Sequence, residues 1–182
     1  ILLERYPYYP VLIEKYFKNY IEPADHFADL LYGKNTKTKV LINLFHFPNA
    51  YNGSAKNGIS FLQYLTKQRP ALDTQNIEIT IMAHKATRIF HELDEYGFRI
   101  LEPAEVRETF HVGYCPTQIF QVENLILLNR TCLKIVFSLL DIIAIRGNDL
   151  LSRDIKARSI FIDSLEWSDQ IISISEFSKK DA

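Results

Sequence analysis

From Lys39 onward, short apolar runs suited to strands alternate with stretches carrying a helical apolar stripe, and this alternation constrains the fold more than any other feature. Val40–Phe45 (VLINLF), Ile77–Met82 (IEITIM), Phe98–Leu101, Leu133–Leu140 (LKIVFSLL) and Ile171–Ile174 read as strands. The first and fourth are near-continuous apolar runs, as expected of strands buried on both faces. A helix with Ile59, Leu62 and Leu65 on one side follows the first strand. The next places Ala86, Ile89, Phe90 and Leu93 at i, i+3, i+4 and i+7, with Gly97 suited to its C-terminal end. A third starts at Pro116 and runs through Ile119, Val122 and Ile126 to about Arg130, and a fourth covers Ile155–Glu166. Such alternation predicts βαβ units with right-handed crossovers and therefore parallel pairing. The expected fold is α/β, a Rossmann-like parallel sheet with helices on both faces and strand order 3-2-1-4-5.

Residues 1–38 have a different texture and read as a short helical lead-in, or a linker from a preceding region. Val11, Leu12, Ile13, Tyr16, Phe17 and Tyr20 form a helical stripe, Pro23 interrupts it, and Ala24–Tyr32 forms a second short helix closed by Gly33. Residues 39–182 then form the Rossmann-like domain. The chain opens on Ile1 without an initiator Met and ends two turns into a helix announced by the capping box Ser173-x-x-Glu176. These abrupt ends lead us to expect a fragment of a longer protein.

Composition removes several functional classes. The 182 residues carry 21 basic against 22 acidic side chains, a net charge of −1, which gives no electrostatic basis for broad nucleic-acid binding. No segment approaches 18 consecutive apolar residues, so no transmembrane segment is expected. Cys115 and Cys132 form neither a Cys-x-x-Cys pair nor a dense framework, and read as two reduced buried thiols of a cytoplasmic protein; a disulfide between them is the alternative and would imply an oxidising compartment. The five histidines, His26, His46, His84, His91 and His111, are scattered, and no metal is expected. A Gly-x-Ser-x-Gly nucleophile elbow is absent, and Lys179-Lys180 reads as a solvated helix face.

In an open parallel sheet, ligands bind beyond the carboxyl ends of the strands, near the switch point. The loop after the first strand, His46 to Gly58, is polar and glycine-bearing and precedes a helix N-terminus. It lacks G-x-G-x-x-G, and Ile59-Ser60 follows Gly58 where a P-loop needs Lys-Ser/Thr. With Asn52, Gly53, Ser54 and Lys56 in it, the loop suits a phosphate or a sugar hydroxyl, although an ordinary turn bent at Asn52-Gly53 reads equally from the residues. Asp141 follows six apolar residues among the preceding eight, so its carboxylate sits at a strand tip. It can accept hydrogen bonds from sugar hydroxyls, cap the next loop or pair with Arg146, but it requires a partner if buried.

Three stretches, VLINLFHFPNAYNGSAKNGISFL, LLDIIAIRGNDL and IISISEFSKKDA, occur in an order that resembles the N-terminal half of a two-Rossmann-domain (GT-B) glycosyltransferase of the group 1, family 4 kind. The resemblance spans about Lys39 to Ala182. It implies an enzyme moving a sugar from a nucleotide-sugar donor to a carbohydrate acceptor, without a cofactor or a divalent metal. It also implies that this half holds the acceptor and that a C-terminal donor-binding domain is a required partner, leaving the fragment alone inactive. By position, Asn52, Gly53, Ser54 and Lys56 would face the donor phosphates and Asp141 would line the reaction centre. His46, Arg146, Ser175 and Glu176 would contact substrate at the cleft. Lys56 stands where many members have Arg, and Leu140 where many have His. A non-catalytic sugar- or phosphate-binding domain and an assembly fragment are the competing classes.

Overall fold

The computed structural model describes residues 23–33, 37–140 and 155–173. The chain divides into two compact units, residues 1–34 and 35–182, each described by itself. In the first, Pro23 opens helix α1 (Pro23–Tyr32), whose Leu31 and Tyr32 are exposed.

The second unit is an all-parallel, six-stranded sheet with helices around it, a Rossmann-like α/β arrangement. Its strands are β1 (Thr38–Leu44), β2 (Ile77–Ala83), β3 (Arg99–Leu101), β4 (Phe110–Cys115), β5 (Cys132–Leu139) and β6 (Gln170–Ser173). Their order is β3-β2-β1-β4-β5-β6, so the topology reverses between β1 and β4. The connecting helices are α2 (Gly53–Lys67), α3 (Arg69–Thr74), α4 (Lys85–Phe90), α5 (Val122–Thr131) and α6 (Ile155–Glu166).

Period-two alternation along the central strands sends side chains into two cores. Ile42 and Leu44 of β1 join Ile79, Ile81 and Ala83 of β2 against Ala55, Leu62 and Leu65 of α2 and against Leu93. On the other face, Leu41 and Met82 join Cys115, Ile135 and Phe137 against Leu125 and Leu128 of α5 and Ile160 of α6. Both faces of β1 are thus sealed, which is why its sequence is a continuous apolar run. Among the described residues, no helix is long and apolar enough to cross a membrane.

Three expectations need correction. First, the sheet has a sixth strand: residues 110–115, read as loop because of Gly113 and nearby Pro116, form β4 and take the place beside β1 expected for Leu133–Leu140. Gly113 is there for closeness, since a Cβ would lie 2.6 Å from Cys132 Sγ and 3.0 Å from Leu128 Cδ2. Pro116 starts no helix. Helix α5 begins at Val122 and buries Asn124, Leu125, Leu128 and Thr131, leaving Val122 and Ile126 at the surface. Second, the helix expected to bury Ala86, Ile89, Phe90 and Leu93 stops at Phe90. A 3₁₀ turn (Leu93–Tyr96) follows; Thr87, His91 and Leu93 face inward, whereas Ile89 is 66% exposed. Third, α2 starts at Gly53, so Ser54, Lys56 and Gly58 are helical and the β1 loop is shorter than expected. Gly58 faces the core, where a Cβ would lie 2.7 Å from Phe47 Cζ.

Candidate functional site

The floor at the switch point is one buried asparagine. Asn43 Nδ2 donates to Asn124 Oδ1 of α5 at 2.5 Å and to Cys115 Sγ of β4 at 3.2 Å. Its Oδ1 accepts the Phe45 N–H at 2.9 Å, folding the chain over as it leaves β1. A satisfied buried network of this kind fixes β1, β4 and the first turn of α5 relative to one another. A second tie crosses the switch point above it: Asn57 Nδ2 of α2 donates to the Pro116 carbonyl at 3.1 Å.

Beyond β1, the Phe45 ring contacts two imidazoles, with centroids 4.2 Å from His46 and 4.9 Å from His84. The two histidines stand 6.5 Å apart at the carboxyl ends of β1 and β2. The His46 pKa lies below its ordinary value: partial desolvation is the main cause, His84 adds to it, and Glu123 opposes. His46 faces solvent, and the lowered pKa favours its neutral form.

The loop then returns to the sheet. His91 Nε2–H donates to the Pro48 carbonyl at 2.8 Å, and its ring packs edge-on against Phe47 at 5.0 Å. Asn52, in extended conformation, caps α2: its Oδ1 accepts the Ala55 N–H at 2.9 Å, and its carbonyl accepts the Lys56 N–H at 2.9 Å. This cap starts the helix five residues earlier than Gly58 and turns Gly53 into its first residue. Open space surrounds the position of a Cβ on Gly53, so packing does not require glycine there.

Between α2 and the α4–3₁₀ segment opens a cleft of about 680 Å³. Asn52, Gly53 and Lys56 line it, as do Ser60 and Gln63 one and two turns along α2. The facing wall is formed by Tyr51, Phe90, His91, Glu92 and Tyr96. Tyr51 is 90% exposed, and its ring lies 5.1 Å from Phe90 at an interplanar angle of 39°. Glu92 adopts the left-handed conformation (φ 51°, ψ 42°), which costs a non-glycine residue about 1 kcal/mol or more.

Of the expected site residues, Asn52, Gly53 and Lys56 come together in this cleft. Ser54 sits half-buried in the first turn of α2 without lining it, and His46 belongs to the neighbouring histidine pair. Asp141, Arg146, Ser175 and Glu176 lie outside the described residues. Sequence reasoning missed the aromatic and carboxylate wall. Tyr51 beside Asn52-Gly53 was its one available signal; Phe90 had been assigned to a buried face. Both thiols are free and buried, with Cys132 pushed up to about 12 and Cys115 also raised, so neither is a nucleophile. Among the described residues, no three His, Cys, Asp or Glu gather to hold a metal ion.

A second cleft, of about 490 Å³, lies at the amino ends of β2 and β3, away from the switch point. Its Arg69 donates to the Tyr96 carbonyl at 2.7 Å and covers the Phe98 ring at 4.6 Å, a structural use of the guanidinium. Compared with known proteins, the chain matches no family model, no curated protein and no solved structure.

Proposed function

We propose that residues 35–182 form the acceptor-side domain of a GT-B glycosyltransferase, which moves a sugar from a nucleotide-sugar donor to a carbohydrate acceptor. The observation that supports this reading is that the Asn52-capped start of α2, in the connection that follows β1, lines a cleft with Gly53 and Lys56. The connection after β1 is where the resemblance puts the glycine-bearing loop, and the carboxyl ends of the strands are the side on which open parallel sheets bind ligands. In this reading a second domain holds the nucleotide, and Asp141, Arg146, Ser175 and Glu176 act at the shared cleft. The free, buried thiols fit a cytoplasmic setting.

Cleavage of the sugar–phosphate bond leaves positive character on the sugar and negative charge on the departing diphosphate. The α2 N-terminal N–H groups and Lys56 supply fixed positive potential for that charge, and Asp141 orients the acceptor or steadies the sugar cation. A non-catalytic carbohydrate-binding domain is the second reading, favoured by the exposed aromatic wall of the cleft.

Transfer by the full-length protein from a panel of nucleotide sugars separates the two. Asp141→Asn is expected to lower kcat on the order of a hundredfold. Lys56→Ala is expected to raise the donor KM about tenfold, the loss of one charge-assisted contact. Absence of transfer from every donor favours the binding domain; transfer unchanged in both variants removes these residues from the chemistry.

A further inference from the structure

We infer that the cleft at the amino ends of β2 and β3 binds the carboxylate of a small monoanionic ligand, with Arg69 and Asn76 as its hydrogen-bond donors. The inference is independent of the transferase reading, which concerns the connection after β1.

Arg69 is half-buried and held in place by the protein itself. Its Nη2 donates to the Tyr96 carbonyl at 2.7 Å, and its guanidinium lies 4.6 Å from the centre of the Phe98 ring. Gly97 permits that approach: it is left-handed at φ 67°, and a Cβ there would lie 3.1 Å from Nη2. These contacts occupy one nitrogen and one face. Among the described residues, no carboxylate pairs with Arg69. The other cations of the cleft differ, since Arg99 pairs with Glu108 and Lys37 stands 4.0 Å from Glu78. A guanidinium already fixed by packing, without a counter-ion, loses little freedom on taking a planar carboxylate through parallel hydrogen bonds.

Asn76 supplies the second donor. It is left-handed at φ 54°, its N–H donates to the Asp73 carbonyl at 3.1 Å, and its carbonyl accepts the Thr38 N–H at 2.8 Å. Its side-chain amide lines the same cleft and makes no hydrogen bond to a described residue. Leu72, Ile77 and Phe98, which pack on the core beneath, offer an apolar wall, and a volume of about 490 Å³ leaves room for a body beyond the carboxylate. Asp73, four residues along α3 from Arg69, and Glu78 also line the cleft and limit the charge it accepts. Arg69 offsets one negative charge, whereas a phosphate dianion or a diphosphate meets two carboxylates. The class that fits is a monocarboxylate with an apolar body.

Shift mapping of amide and arginine Nε–H signals, with the full-length protein titrated with 3-phenylpropionate, tests this. Saturable shifts are expected at the Arg69 Nε–H, the Asn76 side-chain amide and the Gly97 amide. The neutral 3-phenylpropionamide should bind about tenfold more weakly, having lost the charge-assisted contact. Pyrophosphate should leave these signals in place. Arg69→Met, which keeps a side chain over Phe98, should abolish carboxylate binding. Asp73→Asn, at an exposed position, should keep the fold and strengthen it severalfold. Arg69→Lys keeps the charge and a donor for Tyr96 but not the planar fork, and should bind severalfold more weakly. Equal binding of the carboxylate and the amide would overturn the inference, as would unchanged affinity in Asp73→Asn or Arg69→Lys. So would carboxylate binding retained by folded Arg69→Met, shifts centred elsewhere, or no saturable shift.

Discussion

His46 shows how a single residue acquires a property absent from its sequence context. Nothing in Leu44-Phe45-His46-Phe47 indicates that a second imidazole, His84, stands nearby, because β2 brings it there from 38 positions along the chain. NMR titration of the C2–H proton should give His46 a midpoint below the ordinary value of about 6.5. His84→Gln should move that midpoint upward by removing a like charge. The same shift has a sign in stability. With the folded pKa depressed, the unfolded chain binds more protons between the two values. The contribution is therefore full above about pH 6.5 and is lost as pH falls through the folded pKa. A midpoint at or above the ordinary value, or one indifferent to His84→Gln, would contradict the described pair. Asn52 was misread for a local reason: its cap needs only its own next three residues, but Asn-Gly reads as a turn, which hid the helix start at Gly53.

At the scale of elements, local pattern revealed most of the fold and failed where distant packing decides. Strands β1 and β5 are legible because their near-continuous apolar runs reflect burial on both faces, and β2 is legible from its recurring isoleucines. Strand β4 was not, since Gly113 serves contacts with Cys132 and Leu128 that sequence cannot reveal. Helix α4 was overextended for the opposite reason: an apolar stripe continued past the point where His91 bonds the Pro48 carbonyl and Glu92 turns left-handed. Helix α2 supplies a paired test. Gly58→Ala drives a methyl into the Phe47 ring and should cost about 1–3 kcal/mol by overpacking. Gly53→Ala meets open space at the helix start and should be neutral or stabilising by about 0.4–1 kcal/mol. Urea unfolding at constant m-value reads both; equal effects of the two substitutions would show that the loop, and not the helix, extends to Gly58.

At the scale of the whole unit, the class of fold followed from strand–helix alternation, whereas the site followed only in part. The sequence pointed to the β1 loop because the switch-point rule needs topology alone. It could not supply the facing wall, because Phe90, Glu92 and Tyr96 come from the segment after β2, about 40 positions along the chain from Tyr51 and Asn52. The proposed function stands on binding where α2 starts after β1, at Asn52, Gly53 and Lys56. Amide chemical-shift mapping of the full-length protein, titrated with inorganic pyrophosphate in place of the donor's diphosphate, reads that placement. Perturbations should concentrate at residues 52–56. Shifts centred on Arg69, Asn76 and Arg99 at the amino ends of β2 and β3, or no shifts at all, would overturn the proposal.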